Sequence, residues 1–564
     1  MKIFIKGKKQ EVNLNQKNFV MSGGEGEIYA KNNIAYKIYF DKNKVIPEAK
    51  VLELSNLTLQ NIIKPENILI DKSSKNVGYS MQYVTNTVAL CQLFPKAFKV
   101  RENITQEKII KLIKQFRDGI EHCHNNNVLL VDINEMNFLV NKDKYNIIYF
   151  IDCDSYQTKS YKATAIMDNI RDRHNDKFSK LTDWFSFGII TFQLITGIHP
   201  YRGNHKRYGN DLDSRMINNI SIFNKEVKFP PVFNNFQSLL PQSYLDWYKS
   251  EFEDGTRLPF PLDATAVIVV QQQIQKIVSM QFDVKEYFEC DGNVIKYSYV
   301  DGWQIILTDK KLYAGATNYQ DIASYAHICM TPKYSKIISA IVKHKELKLR
   351  NIINQKDLQT SIKASDLFSI ENRLYILSND REKIYEIIFT EMSEQNIIVS
   401  LHLVCNTLAS SVQVFNGVVI QNLLSSYFIN LFPESKKCIS YNIKELVGYR
   451  IIDAKYMNRI LMVIAEKKGK YDKFVFKLDL NNTLRYDVRK FEDTKDNDIN
   501  FCVLDNGICC HVIDDSNMEL FHNDINSKDS KLIKDNILYK ANIFHKGNDL
   551  LFFRDNKLFK IKSK

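Results

Sequence analysis

The spacing of apolar positions changes character near residue 290. Before it, short strands lead into helices. Phe19-Val20 and Ile28-Tyr29 flank the cluster Met21-Ser22-Gly23-Gly24-Glu25-Gly26, which predicts a strand, a turn and a strand. Ile34 to Tyr39 alternates, so Lys37 points the same way as Ala35 and Tyr39. Pro47 opens a helical pattern running from Glu48 to Leu54. Gly78 to Val84 is an apolar strand that enters the polar connector Thr85-Asn86-Thr87. From Asp183 to Tyr201 the helical pattern is apolar nearly all round and must be buried, and Gly197 with Pro200 stops it. A looser helical texture follows to about residue 285. It includes Tyr244 to Gly255, and Gln271 to Gln273 with Ile274 to Val278 read as a last helix or connector.

Beyond residue 290, short apolar runs are separated by Asn, Asp, Gly and Lys turns. Runs starting at Gly302, Ser335, Asn372, Asn416, Asn458, Asn506 and Asn548 recur at intervals of 33 to 48 residues. Most are followed by a turn and a second strand, as at Lys311 to Tyr313, Lys383 to Ile387, Lys473 to Phe476 and Lys557 to Ile561. A period near 40 with hairpin content resembles the blades of a β-propeller, with six or seven blades and no WD signature. A β-sandwich, or two small β domains, is the alternative.

The chemistry lies in the first half. Asp132-Ile133-Asn134-Glu135-Met136-Asn137 is followed by Ile151-Asp152-Cys153-Asp154, two sets of loop carboxylates with an amide between them. Taken singly, each motif has a plain reading, an Asp/Asn turn here and a hairpin turn at the glycines. Together they have the order and spacing of a phosphoryl-transfer site. Gly23, Gly24 and Gly26 let the backbone approach phosphate oxygens, and Lys37 can reach the α- and β-phosphates. Glu48 is available to pair with Lys37, with Glu53 competing. Asp183 can cap its helix or hold the catalytic-loop backbone.

These residues resemble the eukaryotic-like protein kinase family, in its bacterial and viral branches, over roughly residues 15 to 265. The resemblance implies a bilobal α+β domain over 1–280, with an N-lobe at about 1–84 and a C-lobe at about 85–280, before an all-β propeller-like domain at 285–564. It implies ATP and Mg2+ as cofactors. Asp132 would position or deprotonate an acceptor hydroxyl, and Glu48 would position Lys37. Gly23, Gly24, Gly26, Ile28, Lys37, Met81, Gln82 and Val84 would hold the nucleotide. Asn137 with Asp152 or Asp154 would hold the metal. The acceptors implied are protein serine and threonine hydroxyls. A catalytically weak ATP-binding scaffold is the alternative, and Asp183 to Tyr201 argues against a small-molecule kinase.

The chain departs from the family pattern in several places. Met21 stands at the first glycine, Leu130-Val131 where His-Arg is usual, and Asn134 where many relatives carry Lys. Asp152-Cys153-Asp154 replaces Asp-Phe-Gly, and Gln157 to Lys180 holds no Ala-Pro-Glu. The substrate platform must therefore be built differently.

Composition changes this picture little. The 564 residues carry a net charge of +12, 45% hydrophobic and 25% charged residues, ordinary for two to four globular domains. No nucleic-acid module is evident. The ten cysteines have no C-x-x-C spacing, which argues against zinc and for a reducing compartment. Neither a signal peptide nor a membrane span is expected, so the reading is cytoplasmic, with protein partners bound through the propeller-like domain.

Overall fold

The computed structural model describes the chain apart from residues 9, 164–165, 230–232, 234, 262–280, 301, 316, 395, 425, 481–483, 495–497, 514–516, 536–537, 539–540, 555 and 564. The expected last helix or connector at 271–278 lies outside the described residues.

The chain begins with strands β1 (Lys2–Ile5), β2 (Glu11–Asn13), β3 (Phe19–Ser22), β4 (Gly26–Lys31) and β5 (Ile34–Tyr39), then helix α1 (Glu48–Leu54) and strands β6 (Asn67–Ile70) and β7 (Asn76–Gln82). They form one antiparallel sheet in the order β2-β1-β6-β7-β5-β4-β3. Strict alternation in β5 divides its side chains. Tyr36 joins a small apolar cluster with Ile3, Phe19 and Leu69 on one face. Ala35 and Tyr39 join the main core with Val51 and Leu54 of α1 on the other.

A helical half follows, with β8 (Thr87–Ala89), α2 (Lys96–Arg101), α3 (Gln106–Asn125), β9 (Phe138–Asn141), β10 (Ile148–Phe150), α4 (Lys180–Thr196), α5 (Leu212–Ile217) and α6 (Gln242–Phe252). Thr105 caps α3, which buries Ile109, Leu112, Ile113, Phe116, Ile120 and Cys123 along one face. In α4 every residue from Thr182 to Thr196 is buried, as apolar residues on all its sides require. Its N-cap is Ser179, whose side chain accepts from the Thr182 amide, so Asp183 is free for another task. Gly197 ends the helix at φ 83°, and a Cβ there would lie 3.2 Å from the Phe94 carbonyl oxygen.

The C-terminal region is all β among the described residues. Six four-stranded antiparallel sheets follow in chain order from Val294–Val300 to Ser530–Lys534. In a seventh, Phe282–Glu289 pairs with Lys557–Ser563, joining the region's first strand to its last. The apolar runs anticipated from sequence are each the second strand of a meander, as in Ile337–Lys343, Ile460–Lys467 and Ile508–Ile513. Second strands are covered on both faces, so they read as continuous apolar runs. The strands before them, such as Arg450–Met457 and Phe501–Val503, were not anticipated.

The helical half and this region share one apolar core. Ile452, Met462, Ile464, Tyr471 and Phe501 lie in the same cluster as Phe94, Leu130 and Met136. Gly197→Ala forces an L side chain into the left-handed region and is expected to cost about 1–2 kcal/mol, read as a lower urea midpoint.

Candidate active site

The site is organised from beneath by Asp183, which is fully buried. Its carboxylate accepts from the Leu130 and Val131 amides, both at 2.9 Å, and lies 2.9 Å from His124 Nε2. Val131 is held at φ 67°, an unfavourable conformation for a β-branched residue. Two amide hydrogen bonds donated to one carboxylate over-determine it, and the reversal delivers Asp132 to the cleft. Here Asp183 holds the loop and does not cap its helix.

Asp132 accepts from the Met167 amide at 2.9 Å on one oxygen and from the Asn134 side chain at 2.7 Å on the other. Burial raises its pKa against these bonds. Asn134 is 2% exposed, and its own carbonyl accepts from the Met136 amide at 2.9 Å. The residue that replaces the expected lysine thus braces the loop from within. Asn137 donates to the Asp132 carbonyl at 3.0 Å, and its backbone carbonyl accepts from the Ile151 amide at 3.0 Å. That bond ties the catalytic loop to the Asp152 loop.

Lys37 meets that second loop from above. Its ammonium lies 2.7 Å from both Asp152 Oδ1 and Asp154 Oδ2, with Glu25 at 3.8 Å. Burial alone would lower its pKa. The two aspartates more than offset this and hold it charged, above its ordinary value.

The aspartates are not equivalent. Asp154 accepts from the Tyr79 hydroxyl at 2.6 Å and from Tyr39, and its side chain is 4% exposed against 36% for Asp152. Despite burial, Lys37, Tyr39 and Tyr79 keep Asp154 below the usual carboxylate range. Burial and the charge on Asp154 push Asp152 up. Both Asp154 oxygens already have protein partners, Oδ2 in Lys37 and Tyr39 and Oδ1 in Tyr79. Asp152, at φ 61°, and Asn137 keep the accessible positions. An oxygen set of this kind, completed by phosphate, suits Mg2+, which takes one or two carboxylates and keeps several waters.

Glu48 departs from the expected pairing with Lys37. It pairs with Lys6 at 2.6 Å on the surface, its side chain 66% exposed, and does not reach Lys37. Successive helical residues are 100° apart, so Glu48 and Lys50 face opposite sides of α1. The inward side belongs to Lys50, whose ammonium donates to the Asp154 carbonyl at 2.6 Å. Glu53 instead accepts from the Ser160 amide at 3.3 Å. Lys50 was legible as a polar residue on the same stripe as Val51 and Leu54. Tyr39 was placed on the Lys37 side by alternation, but Tyr79 was not legible, because only the pairing of β5 with β7 sets it opposite Lys37.

In the glycine turn, Gly23 and Gly24 are exposed, and the Gly23 amide donates to the Gly26 carbonyl at 2.8 Å. Gly26 is required by the sheet, since a Cβ there would lie 2.2 Å from the Ile38 carbonyl oxygen. Ile28 sits opposite Lys37. Met81, buried beside Ala35, leads through exposed Gln82 to half-buried Val84 at the cleft edge. In place of an Ala-Pro-Glu, Asp172 takes a two-pronged ion pair from Arg257 at 2.8 and 2.9 Å, and the Ser186 hydroxyl donates to the Ile170 carbonyl at 2.8 Å.

Residues 20–250 match the family model described as the protein kinase domain. Relatives include a protein of Acanthamoeba polyphaga mimivirus, named as a candidate serine/threonine-protein kinase, 29% identical over 197 residues. Human myosin light chain kinase family member 4 is 27% identical over 193 residues, and rat myosin light chain kinase 2, skeletal/cardiac muscle, is 22% identical over 193. These alignments cover 33%, 32% and 32% of this chain and 70%, 44% and 28% of the respective relatives. Residues 20–250 are therefore a protein kinase domain, related to enzymes of the serine/threonine type. Among the described residues no helix is long and apolar enough to cross a membrane.

Asp183→Ala strands two buried amides and is expected to destabilise the protein by on the order of 3 kcal/mol. Glu48→Ala should change stability by less than about 0.5 kcal/mol. Urea titration of both variants checks the contrast.

Proposed function

We propose that the chain transfers the γ-phosphoryl group of ATP, with magnesium, to serine or threonine hydroxyls of protein acceptors. The observation that carries this reading is the Lys37 ammonium bridging Asp152 and Asp154 beside a catalytic loop that the Asn137–Ile151 hydrogen bond ties to them. In this reading Lys37 and the Gly23–Gly24 turn hold phosphates, and the purine lies against Ile28 and Met81 with backbone groups of Gln82 and Val84 at its edge. Asn137 and Asp152 hold magnesium, whose positive charge offsets that developing on the phosphoryl oxygens. Asp132 orients the acceptor hydroxyl and takes its proton. Positioning and charge neutralisation supply most of the rate, so these few groups suffice.

The division assigned is a kinase domain at 1–280 and an all-β domain at 285–564. The seven four-stranded sheets, with the first strand closing onto the last, support a seven-bladed propeller. Its role in this reading is to bind protein partners. Free cysteines throughout the described residues support a reducing, cytoplasmic setting.

One observation favours a second reading, an ATP-binding scaffold. Both Asp132 oxygens already accept hydrogen bonds from the protein, so an acceptor hydroxyl would compete with Met167 and Asn134 for that carboxylate. Labelled-ATP transfer with magnesium separates the two. Wild type is expected to label itself or a generic protein acceptor, with Asp132→Ala slower by on the order of 10²–10⁴-fold. Asp152→Ala is expected to lose magnesium-dependent transfer. ATP binding without transfer by wild type would select the scaffold, and equal labelling by all three proteins would discard the site.

A further inference from the structure

The loop that carries Asp132 has two sides. Asp132 and Asn137 keep partial access to the cleft, whereas Ile133, Asn134, Glu135 and Met136 are buried at 0%, 2%, 1% and 6% exposure. Part of what buries them comes from the C-terminal region. The Tyr471 hydroxyl donates to Glu135 Oε1, and Arg450 Nη1 donates to the Met136 carbonyl at 3.2 Å.

Glu135 is unusual for a position sealed from water. Its other carboxylate oxygen has no hydrogen-bond partner. A buried carboxyl with one bond is worse for packing than leucine or methionine of similar size, so its value lies in that bond. It fixes the loop at a residue three positions from Asp132, and the donor is 336 residues away in sequence.

The hairpin bearing Tyr471, Ile460–Lys467 with Lys470–Leu478, also reaches the other side of Asp132. Its turn is pinned by the Gly469 amide donating to Glu466 at 2.6 Å, and a Cβ on Gly469 would sit 3.5 Å from both Met167 Sδ and Asn169 Oδ1. Met167 is the residue whose amide holds the Asp132 carboxylate. One hairpin thus abuts Asp132 at one remove from two directions.

Its docking is rigid. Met462, Ile464 and Tyr471 are part of the kinase core, and Arg101 reaches Asp453 at 3.2 Å around that contact. A large apolar interface of this kind does not open and close as a polar, transient one does. The docked hairpin also leaves Asp132, Asn137 and the Asp152 side chain accessible. It shapes the cleft without filling it.

We propose that Tyr471, through Glu135, and Arg450, through the Met136 carbonyl, are positioning residues for phosphoryl transfer, so that the all-β region completes the kinase active site. This rests on the transfer reading above. The test compares full-length Tyr471→Phe with Tyr449→Phe, which removes an equivalent hydroxyl-to-carboxylate bond to Asp472 within the β region at 2.7 Å. Tyr471→Phe is expected to lower kcat by about tenfold or more, because small misplacements of a catalytic group are costly, and to leave the KM for ATP within about twofold. Amides of residues 130–138 should exchange hydrogen faster in Tyr471→Phe alone. Tyr449→Phe should match wild type in both readouts.

Wild-type kcat and loop exchange in Tyr471→Phe would overturn the proposal. So would a rise in kcat, which would make the hairpin a restraint. If wild type transfers no phosphate, the transfer reading fails, and loop exchange then decides the positioning claim without reference to activity.

Discussion

A carboxylate sealed inside a helix, partnered by two backbone amides and a histidine, is what the catalytic loop hangs from. Asp183 spends its hydrogen-bonding capacity on the backbone turn at Leu130 and Val131, and that turn exists only because those bonds outweigh the strain at Val131. The burial of α4 on all sides makes the bonds strong and the carboxylate immovable. Remove that anchor and Asp132, Asn137 and the Ile151 contact lose their common reference.

Above the loop, the same economy recurs with opposite polarity. Lys37 is buried and would be costly alone, yet two aspartates and the hydroxyls of Tyr39 and Tyr79 form a closed set around it. Within that set the two carboxylates part company. Asp154 is sealed among Lys37, Tyr39 and Tyr79, whereas Asp152 keeps part of its side chain open to the cleft.

What was legible in the sequence was local. Alternation in Ile34 to Tyr39 aimed Lys37 correctly, and the spacing from Asp132 to Asn137 and Asp152 marked one cleft. The even apolarity of Asp183 to Tyr201 announced a buried helix. Glu48 was misread because residue type was weighed above helical phase, although Lys50 shares its face with Val51 and Leu54. The first strands escaped notice for want of a long apolar run: Phe501–Val503 is buried but only three residues long, and Arg450–Met457 mixes Arg, Asp and Lys with its apolar positions. Glu135 and Tyr471 were beyond reach, since no local pattern reports a contact across 336 residues. The apolar core that the two halves share was beyond reach for the same reason.

The pairing of Phe282–Glu289 with Lys557–Ser563 bears on how the molecule is made. The strand that opens the all-β region emerges early in synthesis and must wait, unpaired, until the strand that completes its sheet has followed. Meanwhile the apolar face of the kinase half stays uncovered until Ile452 to Phe501 have been translated and folded against it. The kinase half, although it precedes the all-β region in the chain, is thus enclosed only once that region has folded against it. Contacts so distant in sequence fold slowly and expose sticky surface on the way. The interval between translating Phe282–Glu289 and translating Lys557–Ser563 is therefore a period when this protein is exposed to aggregation and open to chaperones.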